Sequence, residues 1–201
     1  FSVLRFNFRS VGRSQGQFED GPGELSDATI ALDWLQNMNP DAKQCWIAGY
    51  SFGAWIGLQL LMRRPDINNF IAVSPPANEK DFSFLAPCPA SGLIIQGGKD
   101  EIVNPYQVET MAHKLNQQRN VDIDFALIED GDHMYNNHLG DLYKVSGQYV
   151  ISAMQRHSPL RKHRGRRKKS EYDDDLLLEG PEDEDIMNND IEEDDNSDNE
   201  E

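Results

Sequence analysis

The chain has 201 residues, which is enough for one domain with a sizeable core and too few for two domains of ordinary size. Its formal net charge is −16, but residues 161–201 hold 7 basic and 17 acidic side chains and so carry −10 of that charge. The −6 left for residues 1–160 is ordinary for a soluble domain, so the acidity belongs to the tail and says little about what the domain binds.

Apolar runs of strand-like and helix-like period alternate along residues 1–157. The predicted strands cover 1–6, 44–49, 70–73, 92–96 and 121–128. The predicted helices lie between them, with apolar positions over 25–35, 52–64, 108–115 and 139–154. Strands that alternate with helices indicate βαβ units, so we predict one α/β domain with a mostly parallel sheet and helices on both faces.

The composition changes from residue 158 onward. A basic block at 161–169 is followed by a run rich in Asp, Glu and Asn that continues to residue 201. Such a segment has little apolar surface to bury, so 158–201 is predicted to be a disordered tail. The basic block could contact nucleic acid, but no aromatic residues interleave it, which favours a solvated tail that partly neutralises itself.

The two cysteines, Cys45 and Cys88, form no disulfide framework and no metal-ligand spacing. Reduced thiols and the absence of a membrane-length apolar run predict a cytoplasmic protein without a membrane anchor. The first residue is Phe1, inside a strand-like run. Because a domain rarely begins directly on a core strand, we expect the chain to be a fragment, which leaves an upstream signal peptide open.

The stretch from Gly49 to Gly53 reads GYSFG and matches G-x-S-x-G between a predicted strand and a predicted helix. A serine on such a turn projects above the sheet, and the flanking glycines are expected to leave room for it. The N–H of Phe52 opens the helix and can stabilise an oxyanion. A chance match would carry the same letters, so Ser51 as a nucleophile requires partner residues.

A serine hydroxyl is activated by a base that a third group orients. His133 lies in the loop directly after the last predicted strand, where α/β sheets collect functional groups, and His138 is the second candidate. Asp100 follows the preceding strand and is the candidate acid, although it could be a turn or capping carboxylate. The histidines expected to be packed or solvated are His113, His157 and His163.

Ser51, Asp100 and His133 follow three different predicted strands, in the chain order of the α/β-hydrolase triad. Residues 1–157 therefore resemble the α/β-hydrolase superfamily. With GGKDEIV at 97–103 and GDHMY at 131–135, the pattern is similar to small bacterial hydrolases related to dienelactone hydrolase and to serine-peptidase-like esterases.

Residues 5–16 resemble the loop D-x-R-G-x-G-x-S of this superfamily, with Asn7 and Ser10 in place of the usual Asp and first Gly. The resemblance implies that the second oxyanion-hole N–H comes from a loop upstream of Phe1. We therefore expect the chain to lack the first three strands of the fold and to have little activity alone.

The resemblance implies a serine hydrolase that cleaves a carboxylic ester or related acyl bond of a small molecule without a cofactor or metal. Ester, thioester, lactone and amide substrates all stay open. Four residues that could line an acyl pocket are Phe52, Trp55, Met134 and Tyr135, although a core position on the helix is the favoured interpretation of Trp55. The alternative is a non-catalytic binding or scaffold protein of the same fold, suggested by the changes at Asn7 and Ser10.

Overall fold

The computed structural model describes residues 1–156, so the predicted tail lies outside the described residues. The elements in chain order are α1 (Pro22–Met38), β1 (Cys45–Tyr50), α2 (Phe52–Leu61), β2 (Ile67–Val73), β3 (Ser91–Gly97), α3 (Pro105–Asn116), β4 (Ile123–Ile128) and α4 (Leu139–Arg156). A short 3₁₀ turn, Ser83–Leu85, lies between β2 and β3.

The four strands form one sheet in the order β1-β2-β3-β4, and every neighbouring pair is parallel. Each crossover passes through a helix or a long connection, as parallel pairing requires. Because the strands run in one direction, all four carboxyl ends lie along the same edge of the sheet. The loops after β1, β3 and β4, which carry the candidate residues, therefore meet at that edge.

The side chains of each strand divide between two hydrophobic clusters, one on each face of the sheet. On β3, Ile94 belongs to the larger cluster, which also contains residues of α1, α2 and α3. Its neighbours Leu93 and Ile95 belong to the smaller cluster, with Tyr149 of α4. The predicted α/β fold with helices on both faces is confirmed.

The strand predicted over residues 1–6 is wrong, since these residues join no strand of the described sheet. Phe1 and Val3 are 88% and 78% exposed. Alternating apolar residues form a strand only where a neighbouring strand edge and a core are available to receive them. The first side chain of this region to pack against the core is that of Phe8.

α2 ends at Leu61, three residues before its predicted end. The N–H of Arg63 bonds to the carbonyl oxygen of Leu60 at 2.9 Å, a tighter 3₁₀-type turn that closes the helix before Pro65. Among the helices of residues 1–156, none has the length and apolar character that a bilayer crossing demands.

Candidate active site

Ser51 occupies the turn between β1 and α2, with φ 51° and ψ −122°. A positive φ is strained for a residue with a side chain, and it persists where the surroundings hold the backbone on both sides. Here the N–H of Ser51 donates to the carbonyl oxygen of Val73 at 2.8 Å, and its own carbonyl accepts from Ala54 at 2.9 Å. The sequence-predicted turn is therefore present, with the serine at its apex.

The two glycines that flank the turn are not equivalent. A Cβ added at Gly49 would lie 2.4 Å from the carbonyl oxygen of Gly53 and 2.6 Å from Cα of Ala54. A Cβ added at Gly53 would have no heavy atom within 4 Å. The expectation that both positions exclude a side chain is wrong for Gly53, because that position faces open space.

Phe52 begins α2, and its N–H has no acceptor among residues 1–156. Such an unpaired N–H is expected in the first turn of a helix, where it adds to the positive end of the helix dipole. The Phe52 ring lies 5.7 Å from the ring of Trp55 and 6.0 Å from that of Phe8, centroid to centroid. This N–H is free to receive an anionic oxygen beside Ser51.

The loop that carries the Asn7 and Ser10 changes is anchored to α1. The Arg9 guanidinium bonds to the Asp27 carboxylate through both Nε, at 3.1 Å, and Nη2, at 2.9 Å. The backbone N–H of Arg9 donates to the same carboxylate at 2.8 Å. This clamp holds Phe8, the residue before Arg9, against the Phe52 ring.

The structure joins Asp100 and His133 by a hydrogen bond of 2.8 Å between Asp100 Oδ2 and His133 Nδ1. Both residues are 8% exposed. Asp100 Oδ1 accepts the N–H groups of Ile102 and Val103 at 3.0 and 2.8 Å, and Oδ2 also accepts from Gln96 Nε2 at 3.0 Å. Four donors therefore fix the carboxylate, one of which is the imidazole.

The pKa of Asp100 lies below its ordinary value, as the result of opposed effects. Burial alone raises it, and the hydrogen bonds from Val103, His133, Ile102 and Gln96 together lower it by more. The carboxylate is therefore ionised at neutral pH, the state in which it can hold a neighbouring imidazole and stabilise its protonated form.

Asp100 and His133 are 33 positions apart, and they meet because the backbones of the loops after β3 and β4 approach each other closely. A Cβ added at Gly97 would lie 2.4 Å from the carbonyl oxygen of Gly131, so that position excludes any side chain. The N–H of Lys99 donates to the same oxygen at 2.9 Å, and the N–H of Gly98 donates to Ile128 at 2.8 Å. The loops after β3 and β4 are therefore bonded to each other directly beside the pair.

Tyr50, which sequence reasoning missed, connects the Ser51 turn to the His133 loop. Its hydroxyl donates to the carbonyl oxygen of His133 at 3.0 Å, and its ring centroid lies 5.2 Å from that of the imidazole. Within residues 1–156 no hydrogen bond joins Ser51 Oγ to the His133 ring. Such catalytic contacts often tighten only when a substrate is bound.

The remaining candidates lie apart from this pair. His138 bonds to Asp141 at 3.0 Å beside the start of α4, and His113 contacts Gln117 at 3.1 Å on α3. Glu101, the residue after Asp100, is exposed. No group of three or more His, Cys, Asp or Glu side chains within the described part of the chain is arranged to hold a metal ion.

Tyr135 is 1% exposed, so its side chain does not line an open pocket as the sequence suggested. Its hydroxyl bonds to Ser74 Oγ at 2.9 Å, and burial raises its pKa to about 12.

Gln96 is the other buried polar residue that sequence reasoning missed. The signal for it was available, because a glutamine ends the otherwise apolar strand GLIIQ.

The profile of the dienelactone hydrolase family matches residues 16–158. The uncharacterized protein RP471 of Rickettsia prowazekii is 49% identical over 156 residues, which are 76% of this chain. The match spans 66% of RP471, so the chain covers slightly less than two thirds of that relative.

Two crystal structures show the same similarity. The chain is 49% identical to ATU1826 of Agrobacterium tumefaciens, a protein of unknown function, with a TM-score of 0.76 over 78% of this chain and 72% of that one. It is 33% identical to XC6422 of Xanthomonas campestris, described as an α/β serine hydrolase without lid, with a TM-score of 0.64 over 79% and 67%. The chain therefore belongs to the dienelactone hydrolase family of the α/β hydrolases.

Proposed function

We propose that the protein is a serine hydrolase that cleaves a carboxylic ester or a related acyl bond of a small molecule, with Ser51 as nucleophile, His133 as general base and Asp100 as the acid that orients His133. The observation that carries the proposal is the buried 2.8 Å bond between Asp100 and His133. It lies at the same edge of the sheet as the strained Ser51 turn, to which Tyr50 connects it.

In the first step Ser51 Oγ attacks the acyl carbonyl carbon while the imidazole of His133 takes the hydroxyl proton. The tetrahedral intermediate collapses with loss of the alcohol, which receives that proton from His133. A water then attacks the acyl-enzyme by the same route, and releases the carboxylic acid and free Ser51. Asp100 keeps one imidazole tautomer throughout and stabilises the imidazolium that forms twice in the cycle.

The oxyanion of each intermediate would lie against the free N–H of Phe52 at the start of α2. The Phe52 N–H is a strong donor because the helix dipole adds positive charge there and because the N–H has no other acceptor within residues 1–156. Loss of one such donor typically lowers turnover by a factor of about 10²–10³. Serine chemistry at this position therefore depends on the backbone geometry of the turn.

We also propose that the substrate site is open, with no cap over it. The connection between β2 and β3, where a cap could be inserted, packs inward instead, with Leu85 of its 3₁₀ turn completely buried and Phe82 8% exposed. The relative XC6422 is described as lacking a lid. We therefore expect short or exposed acyl groups to be preferred over long buried ones.

The test is labelling by a fluorophosphonate probe, read by mass spectrometry, together with hydrolysis of p-nitrophenyl acetate by the full-length protein. Ser51→Ala should abolish both. Ser74→Ala is a matched control, because Ser74 also has a positive φ, of 44°, at the carboxyl end of a strand, yet is fully buried. It should leave labelling intact.

A folded protein that is not labelled at Ser51 and does not hydrolyse the ester would refute the proposal. That result would favour the scaffold alternative. Hydrolysis that persists in Ser51→Ala would equally refute the assignment of the nucleophile.

A further inference from the structure

We infer that Gln96 is a positioning residue of the active site, whose side-chain amide holds Oδ2 of Asp100 in the orientation that the His133 imidazole needs. The inference rests on the proposed function. It concerns a residue that touches neither the substrate nor the nucleophile and that acts only through Asp100.

The contacts of Gln96 fix which way its amide points. Nε2 lies 3.0 Å from Asp100 Oδ2, 3.1 Å from the carbonyl oxygen of Gly97 and 3.5 Å from that of Val103. All three neighbours are acceptors, so the NH₂ group must face them. The opposite orientation would bring an amide oxygen against the carboxylate.

This orientation leaves Oε1 of Gln96 buried without a hydrogen-bond partner among residues 1–156. An unpaired buried acceptor destabilises a protein, because it has lost its hydrogen bonds to water. Gln96 is also completely buried, in a strand whose residues 92–97 are all buried. The amide therefore lies in a buried apolar strand with one polar atom unpaired, and its strongest contact is with Asp100.

The contact sets both the position and the charge of the carboxylate. Oδ2 is the oxygen that bonds to His133 Nδ1, so Gln96 and His133 share one acceptor atom. Without the amide, the carboxylate can rotate about its remaining bonds to Ile102 and Val103. Its negative charge is then less stabilised by the protein and attracts the protonated imidazole more strongly.

Other groups also face this pair, and they must stay constant in a test. Tyr50 contacts the His133 ring from β1, and both Tyr50 and Tyr135 interact electrostatically with Asp100. Asp132 acts on Tyr50. None of these contacts includes Gln96, so a change at position 96 removes the donor to Oδ2 and the bonds to the carbonyl oxygens of Gly97 and Val103 and leaves the contacts of the two tyrosines in place.

The experiment is Gln96→Met, which keeps the length of the side chain and removes the amide. We expect kcat for p-nitrophenyl acetate to fall about tenfold, which corresponds to about 1.4 kcal/mol, with KM within about twofold. The acid limb of the kcat/KM profile should move to higher pH. The melting temperature should change little, since the loss of the bond to Asp100 is offset by the loss of the unpaired Oε1.

The control is Gln59→Met on α2. The side chain of Gln59 also has a buried amide atom without a hydrogen-bond partner among residues 1–156, its Nε2, but it contacts neither Asp100 nor His133. The substitution should raise or preserve the melting temperature without any effect on kcat or on the acid limb. Gln96→Leu repeats the test with a shorter apolar side chain, in case Gln96→Met packs poorly.

An unchanged kcat and acid limb in a folded Gln96→Met protein would overturn the inference. So would a loss of melting temperature with normal kinetics, which is the behaviour of a merely structural residue. Failure of the proposed function is distinguishable, because it appears as absent Ser51 labelling in the unmodified protein. In that case the imidazole titration of His133, followed by NMR, still reports whether Gln96 acts on the pair.

Discussion

Gly49→Ala should disrupt the strand-to-helix turn, whereas Gly53→Ala should not. The added methyl at position 49 would lie 2.4 Å from the carbonyl oxygen of Gly53 and 2.6 Å from Cα of Ala54, and both are backbone atoms that cannot rotate away. Relief requires α2 to move from β1 by about 1 Å, the difference from an ordinary contact near 3.4 Å. Overpacking a well-packed core typically costs about 1–3 kcal/mol.

We expect the upper end of that range for Gly49→Ala, a loss of about 3 kcal/mol in the free energy of unfolding. For a domain of this size that lowers the melting temperature by about 6–12 °C. Ester hydrolysis should fall at least about 100-fold, because a displacement of about 1 Å at the nucleophile destroys its alignment. Gly53→Ala should instead keep or increase stability by up to about 1 kcal/mol, since alanine favours a helix and meets open space.

Urea unfolding followed by circular dichroism measures the stability of both variants, and p-nitrophenyl acetate measures turnover. The steric argument fails if Gly49→Ala unfolds within about 0.5 kcal/mol of the unmodified protein, the scatter of ordinary surface substitutions. It fails equally if Gly53→Ala is as destabilising as Gly49→Ala.

Three further predictions concern the hydrogen bonds of the site. Because the pKa of Asp100 is lowered in the folded protein, its ionisation stabilises the fold fully above about pH 3.9. This stabilisation is lost as the pH falls from there toward the lowered pKa. Asp100→Asn should therefore flatten the acid side of the profile of unfolding free energy against pH, as measured with urea. Tyr135→Phe and Ser74→Ala should each destabilise by about 1 kcal/mol, with the double variant costing less than the two together, as a double-mutant cycle would measure. Tyr50→Phe keeps the ring beside His133 but loses its hydroxyl bond, so kcat should fall about 3–10-fold with KM unchanged, and an unaltered kcat would contradict this role.

Burial and strand direction explain which parts of the fold and of the candidate site could be predicted from the sequence. β3 is buried at every position from 92 to 97, so its apolar composition alone identifies it. The other three strands keep exposed or polar positions, and their alternation with helix-like segments identifies them. Asp100 and His133 follow neighbouring parallel strands, whose carboxyl ends must lie side by side. Their contact therefore follows from the order of the elements, before any side chain is placed.

The predictions from sequence that were wrong or incomplete share a different cause. In each case the structure depends on contacts between residues that are distant in sequence. Residues 1–6 alternate as a strand should, but no strand of the described sheet pairs with them. Gly53 matches the motif as well as Gly49 does, yet only Gly49 meets the backbone of α2. The bond from Tyr50 to His133 spans 83 positions, and nothing in the local sequence marks it.

The strand order places Ser51 and His133 after the two outermost strands of the described sheet, with Asp100 after an inner one. Three strand spacings separate β1 from β4, a width of about 14 Å. The loop after β4 must reach back across that width for Tyr50 to touch His133. Neighbouring strands are also rotated by about 20–25° each, so the relative orientation of Ser51 and His133 sums the twist of three ladders. The alignment of the proposed nucleophile and base is therefore a property of the whole sheet, and we expect a core substitution that flattens any one strand pairing to lower ester hydrolysis without touching the site.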